Sequence, residues 1–369
     1  MSDNLRRFRA VRKSLTQLHP NPSARITRHL TTLAALISGI VGAKRVSLPE
    51  VAAKVPDATK PVSRERRFRR FVANDNISYR IYFTPFVTPL LSTLAAIRPL
   101  TIIFDGSTVG RGCVALVASV CYKGRALPIA WLVREGKKGH FPEAMHLELL
   151  GEVQAMIPPQ AEVVFLGDGE FDGTELFEQI QSAGWHFVCR TAHNRILSEE
   201  GERFRFSDLD VGSESYVLLP GITYSAKDYG PLQAVLWHEA PYKDPVYLIT
   251  NMDLAGEAIW YYRKRFRIET MFSDHKSRGF HLHKSHLSDP ARLSRMMIAV
   301  SLAYIWMVSL GSRAIKTGTH REIHRSDRCD LSLFQLGFRM LEHILNEGFT
   351  IPVCFAVLPY DDPFPKTVR

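Results

Sequence analysis

The sequence predicts an α/β fold split by an all-β insertion and flanked by helical N- and C-terminal regions. Three observations predict it. Between residues 100 and 190, short apolar β-rich runs and helical stretches follow one another as strand, strand, strand, helix, strand, helix, strand. Residues 191–250 fit no helical period and break at Gly and Pro into short β-like pieces. The residues before and after these stretches return to helical patterns. A chain of 369 residues is long enough for two or three domains, or for one large core with insertions.

The first quarter is helical and strongly basic. Ser47-Leu-Pro-Glu has the form of a helix start, leading into Val51 to Val55. Pro56 to Ser63 then makes a break, and Ser63 can cap a helix over Arg64 to Val72. On that helix Phe68, Phe71 and Val72 form an apolar stripe, while Arg64, Arg66, Arg67, Arg69 and Arg70 cover the other sides. Helix, turn and basic helix are the outline of a DNA-reading element. Residues 1–100 hold 18 Lys and Arg against 5 Asp and Glu, a net +13, whereas the remainder nets −3. Such asymmetry points to a polyanionic partner, nucleic acid. A solvated basic tail is the competing reading, but the apolar stretch Leu30 to Val41 predicts that the segment folds.

From Leu100 the period changes. Leu100-Thr-Ile-Ile-Phe reads as a strand ending at Asp105, with Gly106-Ser107 as a turn. Val114 to Tyr122 and Ala126 to Val133 are strands joined at Lys123-Gly124. Pro142 to Met156 reads as a helix, Glu162 to Gly167 as a buried strand ending at Asp168, Gly173 to Ala183 as a helix and His186 to Arg190 as a strand. Within the insertion, Ser215 to Leu219, Leu232 to His238 and Val246 to Thr250 are the β-like pieces. Ala258 to Lys276 has neither Gly nor Pro and reads as one helix, followed by a His- and Lys-rich loop. Met296 to Gly311 is an apolar run shorter than the ~20 residues of a membrane span, so it reads as a buried helix; Leu331 to Asn346 is the terminal helix. The expected organisation is a basic DNA-binding region over 1–99, a core over 100–190 and 251–312, the β insertion over 191–250, and a C-terminal helical region over 313–369 that could dimerise.

Along the long helix, Arg265, Glu269 and Lys276 follow Tyr262 at offsets of three, seven and fourteen. At ~100° per residue all four project within roughly 60° of one another. A carboxylate, two cations and a phenol on one face suit either solvent or a charged ligand such as phosphate and metal ions. Asp105 and Asp168, each leaving an apolar strand beside glycine, could singly be turn formers or caps. Together with Glu269 they make an oxygen-rich set suited to Mg²⁺. Two such ions about 4 Å apart can activate a water or 3′-hydroxyl and stabilise the leaving oxygen. Arg265 could then grip a phosphate through two bonds and Lys276 as a point charge.

These residues resemble a known family. Asp105 in IIFDGS, Asp168 in FLGDGEFDG and Glu269 in YYRKRFRIETMFSDHKSRGF are similar to the DDE triad of insertion-sequence transposases. The spacing Y-x2-R-x3-E-x6-K resembles the Y-R-E-K signature of the IS-four family, and the resemblance extends over roughly Arg64 to Leu336. It implies an RNase H-like catalytic core, a β insertion between the second Asp and the Glu, and Mg²⁺ or Mn²⁺, two ions per site. It further implies cut-and-paste transposition of double-stranded DNA by a homodimer, through a hairpin at the excised end. Asp105, Asp168 and Glu269 would hold the metals, and Tyr262, Arg265 and Lys276 the terminal phosphates. A Trp in the insertion stacks on a flipped base in related enzymes; Trp237 is the candidate, with core packing as its alternative. A non-catalytic DNA-binding derivative and an RNase H-like nuclease without strand transfer are the competing functions.

Other signals are weaker. Cys113, Cys121, Cys189, Cys329 and Cys354 are scattered without a C-x-x-C pair, which argues against a zinc ribbon or disulfide framework and fits a cytoplasmic protein. Met1 to Lys13 is basic with no apolar run directly after it, unlike a secretory leader. His281, His283 and His286 lack the partners of a zinc site. Lys137-Lys138-Gly139-His140 reads as a phosphate-contacting loop or a plain surface hairpin.

Overall fold

The computed structural model describes residues 2–19, 21–137, 141–240 and 242–357, so 138–140 of the basic loop and 358–369 of the C-terminal region lie outside the described residues. Six helices come first: α1 (Asp3–Gln17), α2 (Ala24–Ala43), α3 (Leu48–Ala53), α4 (Pro61–Val72), α5 (Tyr79–Tyr82) and α6 (Thr84–Ala95). Ser23 starts α2 by accepting the Ile26 N–H at 3.3 Å. α4 begins at Pro61, two residues before the expected cap at Ser63, because proline is preset for the first helical turn and its missing N–H costs nothing there.

One ten-stranded sheet follows, in the spatial order β3-β2-β1-β4-β5-β10-β9-β8-β6-β7. Its first half consists of β1 (Leu100–Gly110), β2 (Cys113–Tyr122), β3 (Arg125–Glu135), β4 (Val163–Gly167) and β5 (His186–Arg190), with α7 (Glu143–Gln154) and α8 (Thr174–Ser182) as crossovers. β1, β2 and β3 are antiparallel neighbours, while β4 and β5 run parallel to β1. This order and these directions make an RNase H-like core. Every residue of β2 is buried, which requires cover on both faces of the sheet.

The second half is β6 (Ile196–Glu199), β7 (Glu202–Arg205), β8 (Ser215–Tyr224), β9 (Tyr229–His238) and β10 (Val246–Thr250). These strands extend the core sheet rather than forming a layer of their own, because β10 pairs antiparallel with β5, Leu248 opposite Arg190. The hairpin β6–β7 is not legible in the sequence; its four-residue strands are too short to show a period.

Two expectations are corrected. β1 does not end at Asp105 but continues to Gly110, since β2 supplies a partner for each residue up to Thr108. The single helix Ala258–Lys276 is two, α9 (Ala255–Tyr262) and α10 (Arg267–His275). Between them the backbone tightens to i→i+3 bonds, Lys264 to Tyr261 and Arg265 to Tyr262, both 2.9 Å. At that turn Arg263 pairs with Glu239, and Arg265 with Asp105 and Glu269, so side chains of the break are held by carboxylates outside it, without any Gly or Pro.

Three helices close the described chain: α11 (Pro290–Thr317), α12 (His320–Ile323) and α13 (Leu333–Asn346). The helix extends beyond the apolar run Met296–Gly311 at both ends: α11 has 28 residues, and both it and α2 are long and apolar enough to cross a membrane. In the fold α11 is instead the central core helix, packed on β3, α2, α4 and α13. α11 and α13 touch backbone to backbone, since a Cβ built on Gly311 would stand 1.9 Å from Leu333 O and one on Gly337 1.9 Å from Met307 O.

Candidate active site

Strand register brings the first two acids together. β1 and β4 pair in parallel through Ile103 opposite Leu166. Two residues further along each strand stand Asp105 and Asp168, where β4 has ended and β1 loses its neighbour on that side. An open α/β sheet presents its chemistry at such strand ends. Asp105 Oδ1 accepts its neighbour Gly106 N–H at 2.7 Å, and Asp168 Oδ1 accepts the Glu170 N–H at 3.0 Å, so both carboxylates are oriented by backbone donors.

α10 lies along this edge. Asp105, Asp168, Glu269, Arg265 and Lys276 line one cavity of about 470 Å³ together with Ser107 and Thr108. Arg265, 8% exposed, reaches between the acids. Its Nη2 lies 2.8 Å from Glu269 Oε1 and its Nη1 3.6 Å from Asp105 Oδ2. Lys276 donates to Thr108 Oγ1 at 3.2 Å. Burial first, and then the charge of Asp168, push the Asp105 carboxyl up to about 7, with Arg265 pulling the other way.

Tyr262 departs from the expected stripe. It is buried behind Arg265, away from the cavity wall, because the tight turn between α9 and α10 changes the phase between Tyr262 and Glu269. Burial pushes its phenol up to about 12, against the pull of Arg265 and Arg190. Trp237 offers no accessible face: it is 3% exposed, its indole N–H donates to Glu239 at 3.0 Å, and Arg263 and Tyr242 pack on its ring. β9 is flanked by β8 and β10, which makes Trp237 part of the sheet's core packing.

The arginines of α4 divide. Arg64 and Arg67 hold the carboxylate of Asp57 at 2.9 and 2.8 Å, fixing the turn before the helix. Arg69 pairs with Glu65 at 2.6 Å, while Arg66 and Arg70 are exposed. The sequence pattern could not separate them, because all five avoid the apolar stripe.

Asp172 is a residue that the sequence pattern does not single out. Only 6% exposed, it is held by Arg195 through two bonds of 2.9 and 2.8 Å and accepts from the hydroxyls of Tyr224 at 2.8 Å and Thr191 at 2.7 Å. This network ties the loop after Asp168 to β8 of the insertion. The one local signal is a second Asp-Gly pair directly after Phe171.

Among the described residues, no three His, Cys, Asp or Glu side chains form a ready-made metal cluster. The donor chemistry of the acidic cavity nonetheless fits a hard divalent cation. It offers carboxylate oxygens from three elements, and Asp105, raised first by burial and then by the charge of Asp168, is a carboxyl that a bound cation would help to ionise.

Residues 89–306 match the sequence model of the transposase DDE domain. Comparison with curated proteins found no match. Among solved structures, a piggyBac transposase synaptic complex with hairpin DNA, determined by cryo-EM, aligns over 93% of this chain and 77% of that one, with 10% identity and a TM-score of 0.45.

Proposed function

The chain belongs to the transposase DDE domain family, and from that membership we propose that it is a cut-and-paste DNA transposase of IS-four type whose catalytic acids are Asp105, Asp168 and Glu269. The observation that carries the assignment is the convergence of these acids with Arg265 and Lys276 on one cavity. Divalent metal ions, Mg²⁺ or Mn²⁺, would be held by the three carboxylates, and when bound would neutralise phosphate charge and activate water.

The protein's own groups supply the rest. Lys276 and Arg265 bind the phosphates flanking the scissile bond, Arg265 through the two guanidinium nitrogens that in this structure meet Glu269 and Asp105. Tyr262, buried behind Arg265, is a support for its guanidinium rather than a direct phosphate contact. Hydrolysis at the element's end frees a 3′-hydroxyl. That hydroxyl attacks the opposite strand to close a hairpin, and after reopening it joins target DNA. The exposed Arg66 and Arg70 of α4 contact the transposon end, and a homodimer pairs two ends.

Supercoiled plasmid carrying the element's ends, incubated with Mg²⁺, tests this. Excision and joining are expected from the native chain. Asp105→Asn, Asp168→Asn and Glu269→Gln should each lose strand cleavage by roughly a thousandfold or more while retaining DNA binding. Full activity in any one of them removes that residue from the site. Indiscriminate nicking would instead identify a nuclease, and binding alone a non-catalytic derivative.

A further inference from the structure

A second basic feature leads away from the catalytic cavity. Where the end of α2 meets α13, a cavity of about 240 Å³ is lined by Lys44, Arg278, Arg339 and Glu342, with Phe334 and Phe338 as its apolar wall. Arg278 lies two residues past Lys276, which itself lines the catalytic cavity. The short 3₁₀ turn Leu282–Lys284, with exposed His283 and Lys284, follows His281, whose N–H donates to Lys276 O at 2.9 Å. We infer that this ridge, from Lys276 over Lys284 to Lys44, Arg278 and Arg339, is a binding track for the phosphate backbone of the DNA whose end enters the catalytic cavity.

Charge and rigidity both support it. The imidazole of His283 is held below its ordinary range by burial and then by Lys284, His281 and Lys276. That of His281 is lowered by burial and then by Arg45 and Lys284, with Glu50 opposing. Geometry joins the pieces: His281 N–H donates to Lys276 O at 2.9 Å, Lys284 N–H donates to His281 O at 2.8 Å, and Arg278 shares its cavity with Lys44 and Arg339. Glu342 pairs with Lys44 at 2.9 Å and Glu50 with Arg45 at 3.1 Å. Among the described residues, Arg278, Lys284 and Arg339 have no carboxylate within ion-pair distance.

The loop that carries the ridge is anchored at both ends. Val46 N–H donates to Phe280 O at 3.0 Å, joining it to the end of α2, and His281 N–H donates to Lys276 O at 2.9 Å. Phe280 is buried and packs edge-on to Phe334 of α13, centroids 5.3 Å apart. A Cβ on Gly279 would stand 2.0 Å from Asp274 O, so the chain runs hard against α10. Lys44 and His281 both hold left-handed backbone, φ 53° and 55°, where Gly or Asn is usual. Cations on a scaffold this constrained bind phosphate without first losing the freedom of a mobile loop.

The inference rests on the transposase reading, and the two fail differently. A labelled duplex of about 40 base pairs is titrated with the full chain from about 50 to 200 mM salt. Arg278→Ala/Arg339→Ala should weaken binding and make the slope of log K against log salt shallower by about 2, one unit for each phosphate that is no longer neutralised. Arg278→Lys/Arg339→Lys, which keeps both charges, should retain the native slope. An unchanged slope in the alanine variant overturns the track while leaving DNA binding intact. A loss that lysine does not restore, with a lowered melting temperature, overturns it as a packing effect. Inorganic phosphate that competes beyond the chloride effect at matched ionic strength overturns it in favour of a free-anion site. No binding by the native chain rejects the DNA reading itself.

Discussion

Arg265 holds two of the three acids of the candidate site, at 2.8 Å to Glu269 and 3.6 Å to Asp105, from a position almost closed to solvent. A planar guanidinium can bridge two anions at once; a lysine ammonium meets them as a point. Arg265→Lys should therefore lower single-turnover cleavage at least about tenfold, roughly 1.4 kcal/mol of barrier, with overall DNA affinity changed far less. Asp172 presents a different case, an acid that acts on the protein rather than on DNA. In Asp172→Ala, Tyr224 and Thr191 keep each other at 2.8 Å but lose their shared acceptor, and Arg195 loses both its bonds. Urea unfolding should show a loss of about 2 kcal/mol, damped because Arg195 is 46% exposed.

Among elements, the crossing of α11 and α13 leaves no room for a side chain at either of its glycines. Gly311 and Gly337 let each backbone sit on the other, and a methyl group at either position collides with a carbonyl oxygen rather than with a movable side chain. Gly337→Ala should force the helices apart and cost about 3 kcal/mol, seen as a clear fall in melting temperature. The junction of α9 and α10 shows why an element's type is easier to read than its phase. The residues of Ala258 to Lys276 are helix formers, and most of them are helical. Yet the tight turn at Arg263–Phe266 withdraws Tyr262 from the face that Arg265, Glu269 and Lys276 share. No Gly or Pro announces that turn; its arginines are held by Glu239 and Asp105 from distant parts of the chain, which a periodicity does not measure.

For the molecule as a whole, stability against pH carries a signature of the core. His275 lies fully buried against Tyr304, centroids 4.9 Å apart, and burial followed by the charge of Lys276 lowers its imidazole to about 3. Its folded value lies below the ordinary 6.5, so its contribution is fully present above pH 6.5 and is lost as the pH falls below that value. Asp274, its neighbour, is pushed by burial up to about 6 against Arg125 and works in the opposite sense, favouring the folded state on the acid side. Comparing the native chain with His275→Phe separates the two. Between pH 7.5 and 5 the native protein should lose about 2 kcal/mol relative to the variant in urea melts. Equal losses in both would show that His275 takes up a proton in the folded state.

The α/β class, the five core strands, the uneven charge and the three acids with their cationic partners could all be read from the sequence, because each depends on local composition and spacing. Apolar runs specify strands, and a carboxylate beside glycine marks the end of β4 at Asp168 but not of β1 at Asp105. What pairs with what is non-local, and only the folded chain decided it: the parallel register that sets Asp105 beside Asp168 and the antiparallel join of β10 to β5. Burial is equally non-local, and it made Trp237 a core residue, turned Arg64 and Arg67 inward to Asp57, and hid Asp172 in its network. A side chain's chemistry is carried by its own residue, but its accessibility and charge state are set by neighbours far away in the chain.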